Sequence, residues 1–220
     1  MIIVKLDGRL FSFCHKSLVS AVLVKYVIDE LKLEDEFQRI KNDHPEALRK
    51  RATLVVLGPS VTRVYKPGTK KQLEPVLDSI AIDELKKMKN QEEFKHWFEK
   101  ELDKIASEII KTNSDNKKIF PGYKWGHASK LLTLHNRELV LNSHYFSDNE
   151  VTRIAPWLYV PIDSLVMKRI RQLGINLKFS RINQIDSATK FYFIQDLLGK
   201  SAAVVDIPRI WFDDVWGDRQ

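Results

Sequence analysis

"YVPIDSLVMKRIRQLG", residues 159–174, is the stretch on which the reading of this chain turns. Pro161 and Asp163 open a short basic helix over 163–173, and Gly174 stops it. Proline lacks the N–H that a helix interior needs, and aspartate accepts hydrogen bonds from the orphan N–H groups of a first turn. Asp163 is therefore a natural helix cap. The same placement also holds a carboxylate at the positive end of a helix dipole, where it is suited to chemistry. Both roles are open at this point.

Working outward, most of the chain reads as helix. In "EEFKHWFEKELDKIASEIIK" (92–111), Phe94, Trp97, Phe98, Leu102, Ile105 and Ile109 fall on one stripe at spacings of three and four. "IFPGYKWGHASKLLTLHNRELVLN" (119–142) places a Pro-Gly turn before a long helix with Ala128, Leu131, His135 and Leu139 on one side. Ser147 and Glu150 have the capping-box spacing. "IDSATKFYFIQDLLGK" (185–200) predicts a helix capped by Asp186 or Ser187 and stopped at Gly199. "VDIPRIWFDDVWG" (205–217) predicts another, with Asp206 as cap, Pro208 in the first turn and Gly217 at the end.

Upstream, two apolar runs around Asp7-Gly8 carry a hairpin signal. "SLVSAVLVKYVIDELK" (17–32) reads as a buried helix, and "EDEFQRIKNDHPEALRKRA" (34–52) as a charged helix interrupted at Pro45. "TLVVLGPSVTRVYKPGTKKQ" (53–72), punctuated by Gly58-Pro59 and Pro67-Gly68, reads as extended pieces and loop that join two lobes. The expected organisation is one compact domain over 1–220. Within it, 1–80 is a small β-hairpin plus helices, and 81–220 is a helical lobe carrying hairpin-helix 118–142 and helix 163–173. The fold class is mainly α.

Composition narrows the function classes. At 220 residues, with 44% hydrophobic and 30% charged residues, the chain is long enough for a well-buried core and is not a disordered segment. No apolar run approaches the roughly 20 residues of a membrane-spanning helix, and the start lacks the pattern of a signal peptide. A single cysteine, Cys14, excludes a cysteine-held zinc or iron–sulfur site and reads as a buried thiol. The expected location is the cytoplasm. The net charge of +7 favours a polyanionic partner. Basic residues gather in 48–52, 63–72, 116–124 and 167–172, and each cluster is either a phosphate contact or a solvated face.

Nucleotide-binding glycine loops, zinc-protease and serine-hydrolase motifs are all absent. His127, His135 and His144 lack a zinc spacing, so no metal or cofactor is expected. Two segments say more. In "FPGYKWGHASKLLTL" (120–134), a glycine turn runs into a helix, a local structure whose N–H groups hold a nucleic-acid phosphate without reading sequence. The other segment is the opening stretch.

Together these resemble the helix-hairpin-helix DNA glycosylase superfamily. In endonuclease III-like members the helix that starts at the catalytic aspartate reads approximately V-D-T-H-V-x-R-V-x-x-R-L-G. Asp163, Val166, Leu173 and Gly174 fall at the matching offsets, with Lys168 in the basic position. "FPG" is similar to the L-P-G that opens the family's hairpin. The archaeal-type 8-oxoguanine DNA glycosylase/AP lyase branch is the nearer match. Its lysine with a following apolar run, its P-V-D and its C-terminal I-P-x-L-x-L-D with a later tryptophan look like "SKLLTL", "PID" and "IPRIWFDDVW" here. The resemblance spans roughly residues 118–217. "PGYKWGHASK" has residues beyond the family's P-G-x-G, which makes Lys124 a rival to Lys130 for the nucleophile role. The C-terminal aspartate–tryptophan spacing is one residue short.

The resemblance implies a two-lobed helix-hairpin-helix glycosylase-like fold and a monomer. Such an enzyme excises a damaged, 8-oxoguanine-like base from duplex DNA through a lysine Schiff base, with Lys130 as nucleophile and Asp163 as the charge-stabilising carboxylate. Trp211, Asp213 and Trp216, with Phe212 and Asp214, would line the base pocket. Gly122, Lys124, Gly126, His127, Lys168 and Arg169 would contact the DNA backbone, with Arg153 and Arg171 as further candidates. A nucleoid-associated location in a prokaryote or a phage-infected cell goes with that role.

The chemistry sets its own requirements. A lysine amine must be desolvated or set near other cations to become nucleophilic, and the sugar's developing positive charge needs a carboxylate. The target base must also leave the stack. The alternative is a non-catalytic nucleic-acid-binding protein, a regulatory or phage–host interaction module using the same basic helices. A helical interaction protein with no nucleic-acid role is the third reading. A lysine amine beside the Asp163 carboxylate in one cleft is what separates the first from the others.

Overall fold

The structure is a computed structural model that describes residues 2–6, 9–13, 38, 43–113 and 122–216. The chain divides into two compact units, Met1–Ala47 and Leu48–Gln220. In the first, β1 (Ile2–Leu6) pairs antiparallel with β2 (Arg9–Phe13), in a register that sets Ile2 opposite Phe13 and Leu6 opposite Arg9. The intervening Asp7 and Gly8, the helix expected over 17–32 and Cys14 lie outside the described residues. Residues 38 and 43–47 are helical, and the helix continues through Pro45, which does not interrupt it as expected.

The second unit is mainly helical. Helix α1 (residues 48–56 of this unit) and α2 (Pro59–Thr62) replace the extended pieces expected over 53–62. "TLVV" looks like strand because threonine and valine are β-branched. Burial decides otherwise: Ala52, Thr53, Val56 and Leu57 are buried while Leu54 and Val55 face outward, which is a helical period. Helix α3 (Thr69–Asp78) starts at Gly68, whose φ of 90° suits only glycine. A 3-10 turn (Ile82–Lys86) leads to α4 (Gln91–Asn113).

All six stripe residues of α4 are buried, and the helix packs against α3, α5 (Ser129–Arg137) and the turn that precedes α5. That turn, Tyr123–Ala128, is a wide π-helical turn continuous with α5, and a second one, Glu138–Asn142, ends the helix. Helix α6 (Asp148–Ile154) carries the expected capping box: the Ser147 hydroxyl accepts from the Glu150 N–H and the Glu150 carboxylate accepts from the Ser147 N–H. Helix α7 (Ser164–Gln172) is capped by Asp163, and Gly174 follows at φ 84°.

Helix α8 (Ala188–Val204) is capped by Ser187 and runs straight through Gly199, so the expected stop is wrong. A Cβ at Gly199 would meet the Arg209 side chain only at ordinary contact distance, 3.6 Å, so the glycine is not required there. Helix α9 (Trp211–Trp216) begins later than expected, since Asp206 takes a left-handed φ of 53° and Pro208 lies in the turn before it.

An aromatic cluster joins the pieces that carry the site. Phe94 and Phe98 of α4 meet Tyr159, which lies shortly before α7, and Phe191 of α8. Trp125, from the turn before α5, closes on Phe191 at 5.7 Å between ring centroids. Ring pairs of this kind add roughly 0.5–1.5 kcal/mol each beyond their buried area. Among the described residues no helix is long and apolar enough to cross a membrane.

Candidate functional site

Asp163 sits at the end of an extended segment, Leu158–Ile162, every residue of which is buried. The segment is held by Gln195 of α8. Its fully buried amide accepts from the Val160 N–H at 2.9 Å and donates to the Val160 carbonyl at 2.8 Å. The chain then turns into α7, and Asp163 Oδ1 accepts from the N–H groups of Leu165 (2.9 Å) and Val166 (3.0 Å). These bonds fix the carboxylate's direction as well as starting the helix.

Its other oxygen faces α5. Lys130 Nζ lies 3.2 Å from Asp163 Oδ2, with the two side chains 18% and 33% exposed. Both line a cleft of about 630 Å³ together with Val61, Val64, His127 and Asn183. Arg63 and Arg181 stand at its edge, exposed, and among the described residues neither is paired with a carboxylate.

The glycines of "GYKWG" build the wall of this cleft. A Cβ on Gly122 would lie 2.3 Å from the Asn183 carbonyl oxygen, and one on Gly126 would lie 2.2 Å from that of Ile182. Gly122 also holds a φ of 74°. The π-helical turn is thus pressed directly onto the 3-10 turn Ile182–Gln184, which brings Asn183 beside His127.

The N–H groups of Gly126 and His127 both donate to the Gly122 carbonyl, at 2.9 and 3.1 Å, so neither amide is available to a phosphate. The glycines serve close packing of backbone on backbone.

His127 is 6% exposed, and its Nε2 has no hydrogen-bond partner among the described residues. Burial, and after it the charge of Lys130, pushes its pKa down to about 4. The imidazole is therefore neutral at pH 7. Behind it stands Tyr65, edge-on at 6.1 Å, its hydroxyl also unpartnered among the described residues and pushed well above its ordinary pKa by burial. Asn183 Oδ1 is a third such atom.

The other expected site residues lie elsewhere. Lys124 Nζ is 2.5 Å from Asp103 of α4 and over the Trp125 ring, and it does not line the cleft. Of the two candidate nucleophiles, only Lys130 faces Asp163.

Trp211, Asp213 and Trp216 are also outside the lining. Asp213 is ion-paired with Arg137, Trp216 packs on Phe212 at 4.7 Å, and Trp211 is exposed. Among the described residues the cleft is lined by no phenylalanine, tyrosine or tryptophan. Lys168 and Arg169 lie exposed on α7. Arg153 is spent on the carbonyls of Leu85, Lys86 and Met88, and Arg171 on that of Phe179.

Sequence reasoning missed Val61, from the short helix α2, and Arg63, Val64, Arg181 and Asn183, from turns, none of which carries a periodic signal. It missed Gln195 as well. The glycines at 122 and 126 did carry a signal, because a spacing of four puts both on one helical face. Among the described residues no group of histidine, cysteine and acidic side chains is arranged to hold a metal. The chain matches no family model, no curated protein and no solved structure.

Proposed function

We propose that this protein is a DNA glycosylase with AP-lyase activity, acting on a damaged or modified base through Lys130 and Asp163. The observation that carries the reading is the 3.2 Å approach of Lys130 Nζ to Asp163 Oδ2 in one cleft. A binding surface has no need to converge a lysine and a helix-capped carboxylate inside a cavity. A Schiff-base enzyme does.

On this reading the helical unit is a helix-hairpin-helix glycosylase-like fold in which the Tyr123–Ala128 turn takes the hairpin's place. A flipped nucleotide enters the cleft with its base against Val61, Val64 and Ile182. Lys130 Nζ bonds to the sugar C1′ as the C1′–base bond breaks, and the base leaves with the bonding electrons. Asp163 Oδ2 faces the positive charge that develops at C1′, and it receives the proton the amine sheds. Arg63 and Arg181 hold the flanking backbone. The substrate is duplex DNA, the enzyme acts as a monomer, and its place is the cytoplasm, at the nucleoid.

Borohydride trapping on duplexes carrying 8-oxoguanine, other altered bases or an abasic site tests this. A covalent adduct with wild type that is lost in Lys130→Ala is the expected result. An adduct that persists in Lys130→Ala moves the nucleophile elsewhere, and no adduct or base release across the panel sinks the enzyme.

The non-catalytic nucleic-acid binder keeps one observation in its favour, the exposed Lys168 and Arg169 on α7 in a chain of net charge +7. It predicts salt-sensitive binding unchanged by Asp163→Asn and no adduct.

A further inference from the structure

A Schiff-base lysine works only if its amine and the charge-stabilising carboxylate stand at the right separation, and here the two come from different helices. Asp163 opens α7, and Lys130 is on α5. Helix α9 belongs to the same frame as Asp163. It packs against α7, and the buried Arg209 just before it donates from Nε to the Leu158 carbonyl (2.9 Å) and from Nη2 to the Trp157 carbonyl (2.8 Å). The guanidinium also lies 4.5 Å from the centroid of the Tyr159 ring. Arg209 thus ties the start of α9 to the chain that runs into Asp163.

Helix α5 meets this frame through two ion pairs. Lys130 and Arg137 share one face of α5, about two turns and roughly 10 Å apart along its axis. Lys130 faces Asp163, and Arg137 faces Asp213 of α9 in a pair whose side chains are 24% and 14% exposed. Among the described residues these are the ion pairs that join α5 to α7 and α9. The opposite face of α5, with Leu132 and His135, is seated in the core. Apolar contact there is non-directional, whereas charge-assisted hydrogen bonds have a set geometry. Two of them on one face govern the roll of α5 about its axis.

We propose that Arg137 and Asp213 are a positioning pair, whose contact sets the roll of α5 against the α7–α9 frame and with it the separation of Lys130 Nζ from Asp163 Oδ2. The proposal rests on the reading of Lys130 and Asp163 as the reacting groups. Neither Arg137 nor Asp213 lines the cleft, so the pair acts through Lys130 and touches no substrate. Breaking it takes a counter-charge from a mostly buried group, and α5 turns to bring that group to water. A reacting group displaced by about 1 Å can cost on the order of 100-fold in rate. Part of the movement at Arg137 reaches Lys130 two turns away, so the expected loss is about 10-fold.

The experiment uses the full chain in single turnover on a duplex with one abasic site. It reads the rate of borohydride-trapped adduct against protein concentration, with circular dichroism to show that each variant is folded. Asp213→Asn and Arg137→Gln are each expected to lower the saturating rate about 10-fold with the half-saturating concentration unchanged. The double variant is expected to be no slower than the slower single one, because both substitutions break one contact. Asp213→Glu, which keeps the charge, is expected to recover part of the rate. Where a neutral variant does not fold, Arg137→Lys takes its place, keeping the charge but losing the planar fork; a slower saturating rate is expected there too. A wild-type rate in the folded variants overturns the proposal. So do losses that multiply in the double variant, and so does a loss confined to the half-saturating concentration, which assigns the pair to DNA binding. Absence of adduct with wild type overturns the lysine reading itself, and is told apart because it does not depend on the pair.

Discussion

Lys130 Nζ and Asp163 Oδ2 are 3.2 Å apart, although 33 positions separate the two residues along the chain. The pair allows the carboxylate's charge to be separated from its structural role. Asparagine caps helices about as well as aspartate, so Asp163→Asn is expected to leave thermal stability near wild type while adduct formation falls about 100-fold or more. Asp163→Ala is expected to lose the activity and, in addition, about 1 kcal/mol of stability by urea unfolding.

Lys124 provides the complementary control. Because it is tied to Asp103 and faces away from the cleft, Lys124→Ala is expected to retain the borohydride-trapped adduct at the wild-type level. Loss of the adduct in this variant, with Lys130→Ala still active, would reverse the assignment of nucleophile.

Gly126→Ala is expected to destabilise the protein by about 3 kcal/mol, read as a lower urea midpoint. Its new Cβ meets the Ile182 carbonyl at 2.2 Å, and backbone cannot give way as a flexible side chain does. Gly122→Ala adds the strain of a left-handed φ to a similar clash. Whatever adduct formation survives should decline too, since the displaced turn carries Asn183.

Gln195→Leu removes the only side chain described as bonding both backbone groups of Val160. Two buried polar groups are left unpaired, for a cost of about 3 kcal/mol. The segment that aims Asp163 also loosens, so the rate of adduct formation is expected to fall although Gln195 touches no substrate. Unchanged stability and rate would show that Val160 finds other partners.

Acid lability follows from two buried histidines. His127 and His135 have pKa values pushed down to about 4 and about 3, each chiefly by burial and then by a neighbouring cation, Lys130 and Arg49 respectively. Above pH 6.5 both are neutral in either state and add no slope. Below it the unfolded chain binds protons that the folded chain does not, so stability falls as pH drops from 6.5 towards 4. For His127 alone the loss reaches about 3 kcal/mol. His135 has both ring nitrogens unpartnered among the described residues. His135→Leu should therefore flatten the dependence of the urea midpoint on pH with little loss at neutral pH.

Local pattern determined much about this protein. The α4 stripe, the Ser147 capping box and the Asp163 cap are legible because period and cap chemistry act within one or two turns. The mainly helical class follows from them. Where propensity and burial conflict, propensity misleads: "TLVV" is helical because one side of it is buried, and α8 runs through Gly199 although glycine is a common helix stop. Only the tertiary structure decided which lysine meets Asp163, since Lys124 and Lys130 occupy one continuous helix and differ only in the face they present. It alone brought Arg63, Arg181 and Asn183 to the cleft and left the α9 tryptophans out of it. Those contacts join segments far apart in sequence, and their positions are set by how aromatic rings and glycine-permitted backbone contacts pack, which no periodicity records.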